Sequence, residues 1–186
     1  MSRNILKQFF LSVIFLLAVS NSIEAYASEQ VSESAEPSEI VRIVPPPGWQ
    51  MADEKTLSKN VKLMVVGKGK GQFPPSINLA TESFKGTLKD YLKLVKSINA
   101  AKGVEWKDLG KIKTEAGEGN LSQVDTKMQW GDVRMLHTIL VRKGTVYIVT
   151  AAALKEEFPP LYQPFFNSMR SLSIDEEASS VAKKEI

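Results

Sequence analysis

Apolar and polar positions along this chain repeat with two different periods, and the switches between them mark its elements. Residues 40–44 (IVRIV) read as a short strand. Pro45-Pro46-Pro47-Gly48 ends it, because prolines cannot donate to a sheet ladder. Residues 60–66 read as a second strand, with Val61, Leu63 and Val65 alternating against Lys62 and Met64. A glycine-lysine run, Gly67-Lys68-Gly69-Lys70-Gly71, breaks it, and residues 76–81 (SINLAT) form a third. The period then changes. Leu88, Tyr91, Leu92, Val95 and Ile98 make an apolar stripe of helical spacing over residues 87–101. Thr87 is placed to cap that helix, Asp90 suits its first turn, and Gly103 suits its end. Alternation returns over residues 104–114, 119–130, 133–142 and 145–153. Short links at residues 115–118, 131–132 and 143–144 make these four strands an antiparallel meander. A second helix over residues 161–172 follows Pro159-Pro160, with Leu161, Phe165, Met169 and Leu172 as its buried stripe. Helices on both sides of an antiparallel sheet predict an α+β fold, a three-layer α/β/α sandwich.

The first 27 residues change the picture from fold to destination. Arg3 and Lys7 precede an apolar run over residues 9–19, and Ala25-Tyr26-Ala27 supplies a small-x-small cleavage pattern. The run is shorter than the ~20 residues a bilayer span needs, so it reads as a signal peptide cleaved near Ala27. The chain is therefore expected to be exported, periplasmic or secreted, with no stable membrane span after cleavage. Residues 28–39, rich in Ser and Glu, read as a disordered acidic linker; residues 40–174 as one domain; residues 175–186 as a disordered tail. The chain has no cysteine, which excludes disulfides, thiolate metal sites and a lipid-anchoring cysteine. The formal net charge is only +3. A small lysine excess without a clustered basic face argues against nucleic acid as a partner.

Candidate chemistry is sparse. His137 is the only histidine, placed mid-strand on the face of Val133, Met135, Ile139 and Val141. It reads either as a sheet histidine with a backbone partner or as a pocket residue serving as base or ligand. One histidine without cysteine leaves a transition-metal site short of ligands, and no Gly-x-Ser-x-Gly elbow accompanies it. The loop holding Lys68 and Lys70, with Phe73 beside it, could gather backbone N–H groups and charge around an anionic partner, or be a solvated loop. The pairs Glu115/Glu118 and Glu156/Glu157 read as solvated surface, and Trp49, Trp106 and Trp130 as buried anchors. Asn120-Leu121-Ser122 fits a glycosylation acceptor in a eukaryotic secretory host. No catalytic set, metal site or cofactor is expected.

One resemblance joins these elements. A Pro-Pro-Gly-Trp entry, a Pro-Pro-Ser-Ile-Asn-Leu strand before a Thr-Leu-Lys-Asp-Tyr-Leu helix, a meander ending in Thr-Val-Tyr-Ile-Val-Thr-Ala, and a last helix closing on Phe-Phe-Asn-Ser-Met-Arg-Ser-Leu follow in this order. The order resembles the PsbP-like superfamily, which takes in the PsbP and Mog proteins and several bacterial envelope proteins. The resemblance covers residues 40–174. It implies a central antiparallel sheet with helices on both faces and a non-catalytic accessory or binding role. The expected function is binding of an envelope protein or a small ligand through one sheet face or the exposed loops. The alternative is a small envelope hydrolase using His137.

Overall fold

Thr87 and Asp90 start the longer helix by exchanging hydrogen bonds. The Thr87 hydroxyl accepts from the Asp90 N–H at 3.2 Å, and the Asp90 carboxylate accepts from the Thr87 N–H at 3.3 Å. This capping box fixes α1 at Leu88–Ala101, and Gly103, at φ +65°, lets the chain turn away after it. The computed structural model describes residues 39–71 and 73–176. The expected signal peptide, nearly all of the acidic linker and most of the C-terminal tail lie outside the described residues.

The meander forms as its alternation predicts: β5 (Glu105–Thr114), β6 (Gly117–Met128), β7 (Gly131–Arg142) and β8 (Thr145–Leu154). The β7–β8 turn uses Lys143 at φ 47° and Gly144 at φ 76°, the left-handed pair that a two-residue hairpin needs. The β6–β7 turn falls at Gln129-Trp130 and not at residues 131–132. Gly131 (φ 126°) already pairs with Met128, which leaves only two residues to turn. β3 (Val61–Val66) and β4 (Ser76–Ser83) complete the sheet with a short edge strand, β2 (Gln50–Met51). All pairs are antiparallel, in the order β2-β3-β4-β8-β7-β6-β5.

The expected alternation in β3 needs correction. A register shift between Val61 and Leu63 puts Val61 on the opposite face from Leu63 and Val65, and Met64 is buried. The bulge reverses the pattern part-way along the strand. The domain also extends slightly past residues 40–174. β1 (Glu39–Arg42) pairs with β9 (Ser173–Glu176) in a separate two-stranded ribbon that joins Glu39 to Glu176.

Two cores result. On one face Ile77, Leu79, Leu121, Leu136, Leu140 and Val149 pack under Phe158, α2 (Tyr162–Arg170) and the ribbon residue Ile174. A 3-10 turn at Pro159–Leu161 precedes α2, so the expected helix start is replaced by one tight turn, and Leu172 packs just beyond its end. Phe165 and Met169 are fully buried there, and Trp49 meets Phe165 edge-on at 5.9 Å. On the other face α1 lays Tyr91 and Val95 on Ile139, Val146 and Ile148. The rest of that face is closed by Phe73, Leu57 and Trp130 over Met64, Val124, Met135 and Leu154. The architecture is the three-layer α+β sandwich, and both faces of its sheet are covered.

Candidate functional site

The register places His137 in a polar row. Reading across the sheet on the α1 side, Asn78 on β4 pairs with Thr150 on β8, Thr150 with His137, His137 with Ser122 on β6, and Ser122 with Asp108 on β5. Apolar residues flank the row on both sides: the α1 cluster at one end, the Phe73–Trp130 cluster at the other. Trp106 touches both clusters. The row from Asn78 to Ser122 is buried.

His137 is 2% exposed, and its Nδ1 has no hydrogen-bond partner. At this nitrogen the ring has no backbone partner. Burial alone lowers its pKa to about 4, so the ring is neutral near neutral pH. Ser122 is fully buried, and its Oγ also lacks a partner. Asp108 is turned to the other side of Ser122, where its carboxylate accepts from the Asn120 side-chain amide at 2.8 Å and the Gly110 N–H at 2.9 Å. A histidine, a serine and an aspartate thus share one row, with the serine in the middle and no bond joining them. Single-period reading of each strand could place His137 on a face but not opposite Ser122. Asn120 is itself buried within β6, which removes it as a glycosylation acceptor in the folded chain.

The loop candidates separate. Lys68 and Lys70 are exposed, and the Lys70 N–H donates to the Glu157 carboxylate at 3.1 Å. Phe73 is 0% exposed and packs at a tilt against Trp130, ring centres 5.7 Å apart, so it closes the core and offers no surface to a partner held by the lysines. Trp49, Trp106 and Trp130 are half-buried anchors. Glu118 pairs with Lys111 at 2.7 Å, and Glu115 stands apart from it in a turn. Among the described residues no three His, Cys, Asp or Glu side chains gather as metal ligands. No helix among them is long and apolar enough to cross a membrane.

A charged cluster lies on the α2 side. Arg134 donates to Asp125 through Nε at 2.8 Å and through a terminal nitrogen at 2.7 Å, and to the Tyr162 hydroxyl at 3.0 Å. Lys155 reaches the same carboxylate at 3.1 Å. These partners hold Asp125 down at about 2 and tie the sheet to the first turn of α2. All its groups are paired, which marks it as structural.

Sequence reading found no basic cluster, and the fold corrects this. Lys89, Lys93 and Lys96 fall at i, i+4 and i+7 on the outer face of α1, with exposed Lys85 before the helix and Lys102 after it. From Phe84 to Gly103 there are five lysines and one acid, Asp90. Leu94, 38% exposed, sits among them. Helical spacing of the lysines was available as a signal; neutral overall composition hid it.

By sequence, no family model and no curated protein matches the chain. By structure, it is similar to LpqN, described as involved in cell envelope biogenesis of Mycobacterium tuberculosis, at 13% identity and a TM-score of 0.51, covering 78% of this chain and 88% of that one. It is also similar to the cyanobacterial PsbP of Synechocystis (13% identity, TM-score 0.46, 79% and 98% covered). The Ran-binding protein Mog1p of Saccharomyces cerevisiae is a further likeness (14% identity, TM-score 0.49, 76% and 96% covered). At such identities a likeness shows shared architecture and carries no activity with it. The chain shares its fold with LpqN.

Proposed function

We propose that this chain is a non-catalytic accessory protein of the cell envelope, exported to the periplasm or beyond, which works by binding an acidic protein through the outer face of α1. The observation that carries this is where the charge sits. Five lysines and one acid in a twenty-residue stretch give it a positive excess larger than the +3 of the whole chain, on a helix whose inner side is anchored to the sheet. Such a patch steers an oppositely charged partner. Leu94 among the lysines supplies the apolar contact typical of a protein interface. The N-terminal signal pattern supports export, and the fold shared with LpqN, a protein of envelope biogenesis, is compatible with that setting. Nucleic acid and anionic lipid are the competing takers of a basic face.

The test is crosslinking of the tagged chain in its own envelope, beside a Lys89→Glu/Lys93→Glu/Lys96→Glu variant. A stoichiometric acidic protein captured by the parent and lost by the variant, at unchanged melting temperature, supports the reading. Capture that survives the charge reversal sinks it, as does exclusive recovery of nucleic acid or lipid.

One observation favours a second reading, the small hydrolase: Ser122 stands directly opposite His137. That reading requires His137→Ala to abolish a measured activity while leaving the fold intact.

A further inference from the structure

Four of the buried polar atoms without a partner stand together on three neighbouring strands. They are Trp106 Nε1 on β5, Asn120 Oδ1 and Ser122 Oγ on β6, and His137 Nδ1 on β7. All four residues share the α1 face of the sheet. Trp106 pairs with Val124, two residues from Ser122; Ser122 pairs with His137; Asn120 pairs with Ile139, two residues from His137. Residues directly opposite lie about 5 Å apart and diagonal ones about 7–8 Å, and the register positions of Asn120 and Trp106 are about 13 Å apart along β6, so the set is long enough to need a molecule of several heavy atoms, of polyol or sugar length. Buried polar groups in folded proteins are nearly always satisfied, and each bare one costs about 1–3 kcal/mol. A cluster of four calls for an occupant.

The chemistry of the four atoms limits that occupant. Trp106 Nε1–H only donates. Asn120 Oδ1 only accepts, and the amide orientation is fixed because Nδ2 donates to Asp108 at 2.8 Å and to the Gly110 carbonyl at 3.2 Å. Ser122 can do either, and a neutral His137 offers one donor or one acceptor at Nδ1 according to tautomer. The carboxylate paired with Ser122 in the ladder, Asp108, is engaged by Asn120 and Gly110. No ionised side chain among the buried members of the row would balance a charged ligand, and an unpaired buried charge is far costlier than a buried hydroxyl. The flanks are apolar: Ile139, Ile148 and Tyr91 on one side, Val124 and Met135 on the other. Trp106 is half-buried where the two meet.

We infer that the Trp106–Asn120–Ser122–His137 cluster is a binding site for a small uncharged molecule bearing hydroxyl or amide groups on an apolar frame, such as a polyol or an acetamido sugar. The site is independent of the lysine face of α1 and stands or falls apart from it. A water bonds only groups within about 3 Å of it, so a lone water does not span a cluster that runs from Trp106 to Asn120; a file of ordered waters is the competing occupant.

The three tryptophans give a direct readout. In 15N-labelled protein the Trp106 indole N–H resonance, assigned by Trp106→Phe, is followed during titration with glycerol and with N-acetylglucosamine. The expected result is a saturable shift at Trp106 with one of these probes while Trp49 and Trp130 stay still, and affinity weakened about tenfold by Ser122→Ala, the worth of one lost hydrogen bond. Ser122→Ala should fold normally, because its hydroxyl has no protein partner to lose; an unchanged melting temperature checks this. Absence of a saturable Trp106 shift with both probes overturns the inference. So does a crystal soaked in the same probes that shows only ordered water at these four atoms.

Discussion

Arg134 holds Asp125 by two parallel hydrogen bonds, 2.8 and 2.7 Å long, across the β6–β7 ladder. Both side chains are largely buried, and Lys155 and Tyr162 complete the cluster. Asp125→Asn should therefore cost about 2–3 kcal/mol, because it leaves Arg134 partly buried without its counter-charge. The carboxyl sits near 2 when folded, against 3.8 ordinarily. Its contribution is thus complete above about pH 4 and fades as pH falls towards 2, by about 2 kcal/mol in all. Urea unfolding of both proteins between pH 6 and about pH 2 checks this. A stability gap that stays constant over that range refutes it.

His137 predicts a second, separate acid window. Its folded pKa lies below the ordinary 6.5, at about 4, so the unfolded chain takes up a proton first. Stability should fall as pH drops from about 6.5 to about 4, by about 3 kcal/mol at most. His137→Gln, which cannot titrate, should flatten that stretch of the curve and leave the steeper fall below about pH 4 in place. If parent and variant show the same slope between these values, the ring is not held neutral by burial.

Thr87→Ala removes one half of the capping box while Asp90 stays. The expected loss is about 1 kcal/mol. The change should raise hydrogen exchange in the first turn of α1 and leave the meander untouched. Exchange altered equally across the sheet would mean that α1 and the sheet open only together.

Gly119 lies where β6 runs close beneath β7. A Cβ there would meet the Ile139 carbonyl oxygen at 2.7 Å, and backbone cannot swing aside as a side chain can. Gly119→Ala should cost about 1–3 kcal/mol through overpacking. By contrast, a Cβ at Gly144 meets nothing within 4 Å, and only its positive φ resists substitution. Equal melting temperatures for Gly119→Ala and the parent would show that the ladder has slack.

Much of this architecture could be read from local patterns, and the exceptions have a common cause. The α1 stripe, the Thr87 cap and the Lys143-Gly144 turn are set by residues near one another in sequence, so spacing reveals them. The bulge between Val61 and Leu63, the β1–β9 ribbon and the pairing of Ser122 with His137 depend on which strand lies beside which. Alternation gives a side chain's face but not its neighbour across the ladder. Phe73 shows the same limit, since its place in the sequence fits a partner contact or local packing. Beside two prolines and a lysine loop nothing local decides between them, and it is Trp130, 57 positions later in the chain, that packs against it. The lysine stripe of α1 was the one site feature that helical periodicity could have exposed.

The β1–β9 ribbon joins the two ends of the domain: Arg42 meets Asp175, 133 positions apart in the chain. Synthesis delivers β1 first and β9 last. The earliest strand must therefore wait, unpaired, until nearly the entire domain has emerged. Closure of the ribbon is the final step available to the chain, and a protein truncated before Ser173 cannot take it. A chain that emerges from its N-terminus thus cannot complete its fold before its last strand arrives.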